Sequence, residues 1–186
     1  ASLEDVNSLM VLSALFGKVG TKDKDYMQLQ EDISKISGGI NASNHFYVDK
    51  SGEVKGRISL SSKFLPDNTV ETTNLMFDIL QNTDLEDKKR ITELMFQNFM
   101  GFQQSIVENG HRFAMLGAAS LHNKLSFIQE NMGGLSAIAG FAPYVTQQDE
   151  MITNQLTKVK DFYSNLNEGK DEMLFISNHK LSSEQL

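Results

Sequence analysis

The chain has 186 residues, 40% of them hydrophobic and 22% charged, with two prolines and thirteen glycines. That is enough chain for one domain with a packed core, and its composition is neither disordered nor fibrous. A net charge of −7 with only scattered bases speaks against nucleic acid as a partner, and the lack of cysteine excludes a disulfide framework or a thiolate metal site.

Helical periodicity opens the chain. Leu9, Leu12 and Leu15/Phe16 form one stripe of a first helix between Leu3 and Phe16, which Gly17 and Gly20 break. A second helix follows a cap within Thr21–Asp23 and carries Tyr26, Leu29, Ile33 and Ile36 at steps of three and four. Gly38 and Gly39 end it, as a left-handed C-cap requires. The period then changes to two. Over 40–48, Ile40, Ala42, Phe46 and Val48 share one face, and Asn41, Ser43, His45 and Tyr47 share the other. Over 54–62, Val54, Ile58 and Leu60 alternate with Lys55, Arg57, Ser59 and Ser61, so residues 49–53 join a two-faced antiparallel hairpin.

Helices return after Pro66-Asp67. One covers 68–82, with Val70, Phe77 and Leu80 expected inward. A longer one follows a cap at Thr83 or Asp84, with Ile91, Met95, Phe99, Phe102 and Ile106 on one buried stripe, and ends at Asn109-Gly110. A short helix spans 111–121, residues 122–135 read as glycine-rich and irregular, a last helix covers 146–167, and Met173–Ser177 reads as a final strand. There is no repeat and no linker, so residues 1–186 read as a single α+β domain.

Chemistry-bearing patterns are sparse. His45, His111, His122 and His179 have no second histidine three or four residues away, so no helix offers two imidazoles to one ion. The run Gly133–Gly140 follows no strand and lacks the lysine of a phosphate loop, and Ser120-Leu121-His122 is a neighbour pair rather than a triad. Lys88, Lys89 and Arg90, the densest bases, sit beside Glu86 and Asp87. No apolar run has the length of a membrane span, and the opening Ala1 lacks the flank of a signal peptide. These features point to an excised piece or processed product. Its compartment is not fixed, a reducing one (a bacterial cytoplasm or an organelle matrix) being favoured.

Several segments, in order, resemble one family. Gly20-Thr21, then Gly38-Gly39-Ile40-Asn41-Ala42-Ser43, resemble a stretch of the pitrilysin/insulinase metallopeptidases. Ser61–Asn68, Leu75–Leu80, Ser105–Met115 and Gly133–Ser136 are similar to the presequence-protease branch of that family. Active halves of the family carry His-x-x-Glu-His in the helix before Gly-Thr. The corresponding positions here are Val11, Ala14 and Leu15, all apolar, while the family's third ligand falls near Glu93.

The resemblance therefore implies the first domain of the non-catalytic second half of a zinc peptidase. It implies a metallopeptidase half-domain of the ferredoxin-like roll type, an antiparallel sheet with helices on one face, lacking its first two strands. No catalytic residue, metal or cofactor is expected in this segment; zinc would lie in the catalytic half of the same polypeptide. Its role would be to enclose oligopeptide substrates, with Asn41, Ser43, His45, Tyr47 and Arg57 as chamber residues, although an ordinary wet sheet surface has the same pattern. The open sheet edge invites self-association. Neither nucleic acid nor membrane is expected as a partner. The rival readings are a structural subunit related to inactive processing-peptidase core proteins, and a standalone peptide-binding module.

Overall fold

The computed structural model of the chain describes residues 3–146 and 148–166; the strand expected at 173–177 lies outside them. The first helix, α1 (Leu3–Leu15), is the axis of the fold. Val6, Leu9, Met10, Val11, Leu12 and Leu15 are all buried, so it is apolar on nearly every side, the pattern of a helix enclosed by others rather than lying on a surface. Against it pack α4 (Lys88–Glu108), α6 (Lys124–Gly133), α7 (Ile138–Val145) and α8 (Asp149–Leu166), together with strand β1 (Ile40–Val48). The remaining elements are α2 (Tyr26–Ile36), β2 (Val54–Ser62), α3 (Thr69–Asn82) and α5 (Gly110–Ser120), with short 3-10 turns at Pro66–Asn68 and Leu135–Ala137. The class is α+β as expected, and among the described residues its β component is one two-stranded antiparallel sheet.

The expected caps shift by a few residues, for a physical reason. Helix α2 is capped by Asp25, whose carboxylate accepts from the N–H groups of Met27 and Gln28, while the Gln28 side chain accepts from the Asp25 N–H. Thr21 is not free to cap, because its hydroxyl donates to Asp78 at 3.1 Å and its backbone pairs with Lys24 and Thr83. Asp87, not Thr83 or Asp84, caps α4 by accepting from the Arg90 N–H. The Asp84 N–H donates to the Gly20 carbonyl and the Lys22 N–H to that of Asn82, so the Gly20-Thr21 turn fastens the α3–α4 junction. Gly20 is required there by space. A Cβ on it would lie 2.4 Å from the Lys24 carbonyl oxygen.

Other expectations need correction. Helix α2 ends on an extended Ser37, whose hydroxyl donates to Ile33; the positive φ belongs to Gly39, two residues on. In α3 the inward residues are Thr69, Thr72, Leu75 and Ile79, whereas Val70 is exposed and Phe77 and Leu80 are half-buried, because the helix turns a mixed polar face to α2. On α4, Ile91, Leu94 and Met95 are buried, but Phe99 and Phe102 are half-buried and stack on Phe141 at 5.9 and 5.8 Å. The glycine-rich 122–135 stretch contains a helix, α6, begun by the Asn123 side chain accepting from the Ser126 N–H. The Glu130 carboxylate then accepts from the Ser136 N–H and lies so close to Gly134 that a Cβ there would be 1.6 Å from Oε2.

Candidate functional site

The hairpin places the expected chamber residues. Its register pairs Asn41 with Ser61, Ser43 with Ser59, His45 with Arg57 and Tyr47 with Lys55, so all eight share one face. Seven of them are exposed and Ser59 is half-buried, with Tyr47 presenting 48% of its surface. The structure thus brings Asn41, Ser43, His45, Tyr47 and Arg57 together on one wet surface. The opposite face carries Ile40, Ala42, Ile58 and Leu60 against the helical core. Phe46 lies over Gly56, whose missing side chain leaves room for the ring: a Cβ there would be 2.7 Å from it. Val48, expected inward, is 52% exposed at the end of β1 that leads into the hairpin tip, where it pairs with Val54.

The tip is held by Asp49. Its carboxylate accepts from the N–H groups of Ser51 and Glu53 and from the Ser51 hydroxyl, and it pairs with Lys55 at 2.9 Å. The Lys55 hydrogen bond, helped by Ser51 and the two N–H groups, holds the Asp49 carboxyl well below the usual carboxylate range. Asp49 reciprocally raises the Lys55 ammonium. With Lys55 occupied, Arg57 is the guanidinium on this face without a hydrogen bond or ion pair to a described residue. The Ser43 hydroxyl lies 3.0 Å from His45 Nε2. A nucleophile–base pair would need a third group to orient the imidazole and a site that excludes water; among the described residues His45 meets no carboxylate, and both residues face solvent. This face exposes hydrogen-bonding groups and positive charge.

The three motif positions on α1 have separate fates. Val11 and Leu15 are wholly buried in the core. Ala14 borders a cleft of about 750 Å³ between α1, α4, α7 and β1, shared with Ser13, Gln97, Asn98 and Phe102. The residues lining that cleft include no histidine, cysteine, aspartate or glutamate. Glu93 is half-exposed on α4 and faces Arg90 at 3.9 Å. Among the described residues no group of three such side chains is placed to hold a metal ion, so the residues present do not fit a zinc site.

Asn44 was not singled out by alternation, which puts it on the apolar face. Its amide donates to Ser13 Oγ at 2.7 Å and to the Leu9 carbonyl at 3.4 Å, tying β1 to α1. A polar residue in an otherwise apolar register was the available signal. Arg112 and Gln129 border a cleft beside β1; Arg112 lies within the Ser105–Met115 segment, but no spacing along the chain brings it together with Gln129. The bases at 88–90 are partly engaged internally: Lys88 pairs with Asp149, and the Arg90 guanidinium lies 4.4 Å from the Tyr26 ring centroid.

A family model described as associated with the M16 peptidases of subfamily C matches residues 2–143. The chain is similar to the protein HypA of Clostridium perfringens, with 28% identity over 83% of this chain and 16% of that protein. It is similar to the mitochondrial presequence protease of Yarrowia lipolytica, with 25% identity over 74% of this chain and 14% of that one. Presequence protease 1, chloroplastic/mitochondrial, of Arabidopsis thaliana is 27% identical over 64% of this chain and 11% of its own length. The chain thus spans about one-sixth or less of each of these relatives.

Proposed function

This chain belongs to the family of domains associated with the subfamily C peptidases of the M16 group, and from that premise we propose that it is a non-catalytic domain of a larger zinc-dependent peptidase that degrades oligopeptides. The observation that carries this reading is the fate of α1. Val11 and Leu15, where zinc-binding imidazoles would stand in an active half, are fully buried core residues. Zinc chemistry then belongs to the catalytic half of the same polypeptide, the partner against which this domain packs. The relatives named presequence proteases favour this over a structural subunit of a processing peptidase. Their mitochondrial and chloroplast names favour an organelle matrix, although a bacterial relative leaves the cytoplasm open as a site.

The domain's contribution to the peptidase is to enclose substrate. The outer hairpin face supports this role. It turns His45, Tyr47 and Arg57 outward on a rigid strand pair, supplying hydrogen-bond donors and one charge to an extended peptide. Among the described residues β1 and β2 each pair on one side only, which favours self-association of the isolated chain through an unpaired edge.

Two measurements test the proposal. Metal analysis of the dialysed 186-residue chain, with a fluorogenic peptide assay, should give no stoichiometric zinc and no chelator-sensitive hydrolysis. Replacing His45, Tyr47 and Arg57 by alanine in the full-length enzyme should change KM for long peptides at unchanged thermal stability. Unchanged kinetics would reduce the face to bare surface.

A further inference from the structure

A second cleft, of about 480 Å³, runs between β1, α5 and α6, bordered by Asn44, His45, Phe46, Arg112, Gln129 and Met132 among others. Three consecutive strand residues line it, although alternate side chains of a strand point to opposite faces. No residue of β2 does. The cleft therefore runs along the edge of β1 away from β2, the edge that pairs with no strand among the described residues.

Its chemistry is lopsided. The Arg112 guanidinium and the Gln129 amide are exposed and make no hydrogen bond or ion pair with a described residue. His45 adds an imidazole whose Nε2 already meets Ser43. Leu116, Met132 and Phe46 supply half-buried apolar walls, and the lining residues include no aspartate or glutamate. In a chain of net charge −7, this cleft thus presents a guanidinium that no described residue pairs, with no acid among the lining side chains.

We propose that this cleft is a carboxylate-binding subsite, in which Arg112 and Gln129 hold the carboxylate of a peptide while its neighbouring apolar group rests on Leu116, Met132 and Phe46. Arginine suits the task because its fork presents two parallel N–H donors to a carboxylate's two oxygens. Gln129 supplies a further donor through its amide nitrogen. The unpaired edge of β1 adds backbone donors and acceptors along which the rest of a peptide can lie. The carboxylate is either a free C-terminus or an acidic side chain. That its carrier is a peptide rests on the peptidase reading; the cationic cleft itself does not.

The test is a titration of the isotopically labelled 186-residue chain followed by amide chemical shifts. The probes are acetyl-Ala-Ala, acetyl-Ala-Ala-amide, and acetyl-Glu-amide. Acetyl-Ala-Ala, acetyl-Glu-amide or both should shift the amides of Asn44–Phe46, Leu116 and Gln129, and the uncharged amide should not; which of the first two binds identifies the source of the carboxylate. Arg112→Gln should weaken that binding at least tenfold and Gln129→Ala less, while Arg57→Gln, on the outer hairpin face, should leave it unchanged. Both cleft variants alter exposed side chains, and circular dichroism verifies that they fold. Equal shifts from charged and uncharged peptides, or an Arg112→Gln variant that binds like the parent, would overturn the subsite. That result, with KM still altered by Tyr47→Ala and Arg57→Ala in the full-length enzyme, removes the cleft and leaves the chamber reading standing. The reverse pattern removes the chamber and keeps the cleft.

Discussion

Helix α1 and the β1–β2 hairpin touch each other but use their residues differently. In α1, Val6, Leu9, Val11, Leu12 and Leu15 point to different sides of the helix and all are buried. In the hairpin only one side is covered, and the other keeps seven polar or aromatic residues in water. A helix enclosed by four others and a strand keeps only the strip at Met10, Ser13 and Ala14 beside a cleft, and that strip carries no metal-ligating side chain. A hairpin covered on one side keeps a full polar face exposed. The enclosure of one element and the open face of the other are thus both consequences of packing. Ala14 sits at the junction, still bordering a cleft but with no donor to offer it.

The sharpest way to break this comparison is to disturb α1. Leu15→Ala should cost about 2–5 kcal/mol, because the helix is enclosed and the cavity cannot collapse onto solvent. Chemical denaturation would measure it, and a midpoint shift below about 0.5 kcal/mol would mean that α1 is not the axis of the core. Next comes the hairpin's covered face. Phe46→Ala uncovers Gly56 and should cost roughly 2 kcal/mol, about half the value for a fully buried phenylalanine. A cost equal to that of Leu15→Ala would erase the contrast between the two elements.

The outer face should be nearly silent. Alanine at Asn41, Ser43 or Arg57 should change stability by no more than about 0.5 kcal/mol each, as at surface sites without special contacts. Thermal melts of the three variants decide this, and a large loss at any one would show that the face is covered by another part of the chain. The smallest effect concerns Asp49. Its carboxyl titrates below the ordinary value of about 3.9, so the stability it contributes is present above that pH and is lost as pH falls through the depressed value. Nothing should change near neutrality. Carboxyl NMR should find the midpoint displaced downward, and Lys55→Met should move it back up.

Much of this was legible along the chain. The period-two alternation over 40–48 and 54–62 fixes which side chains share a face, because a strand's side chains alternate whatever surrounds it. The boundaries of β1 and β2 follow as well, and the apolar character of Val11, Ala14 and Leu15 rules out ligand atoms before any fold is known. What periodicity could not decide is where competition between partners is settled. Thr21 looks like a cap, but Asp78 and the α3–α4 junction claim it. Phe99 and Phe102 share a stripe with Met95, yet end half-buried, tilted against Phe141 of α7, with Phe102 also edge-on to Phe113 of α5. Residues 122–135 read as loop from their glycines, whereas Asn123 begins a helix there and Gly134 is needed for the close approach of Glu130. Arg112 and Gln129 come from separate helices and meet β1 only in the folded chain. Local chemistry determines which face of an element is apolar, but the neighbour that covers the face, and the side chains left to gather at its edge, depend on contacts distant in sequence.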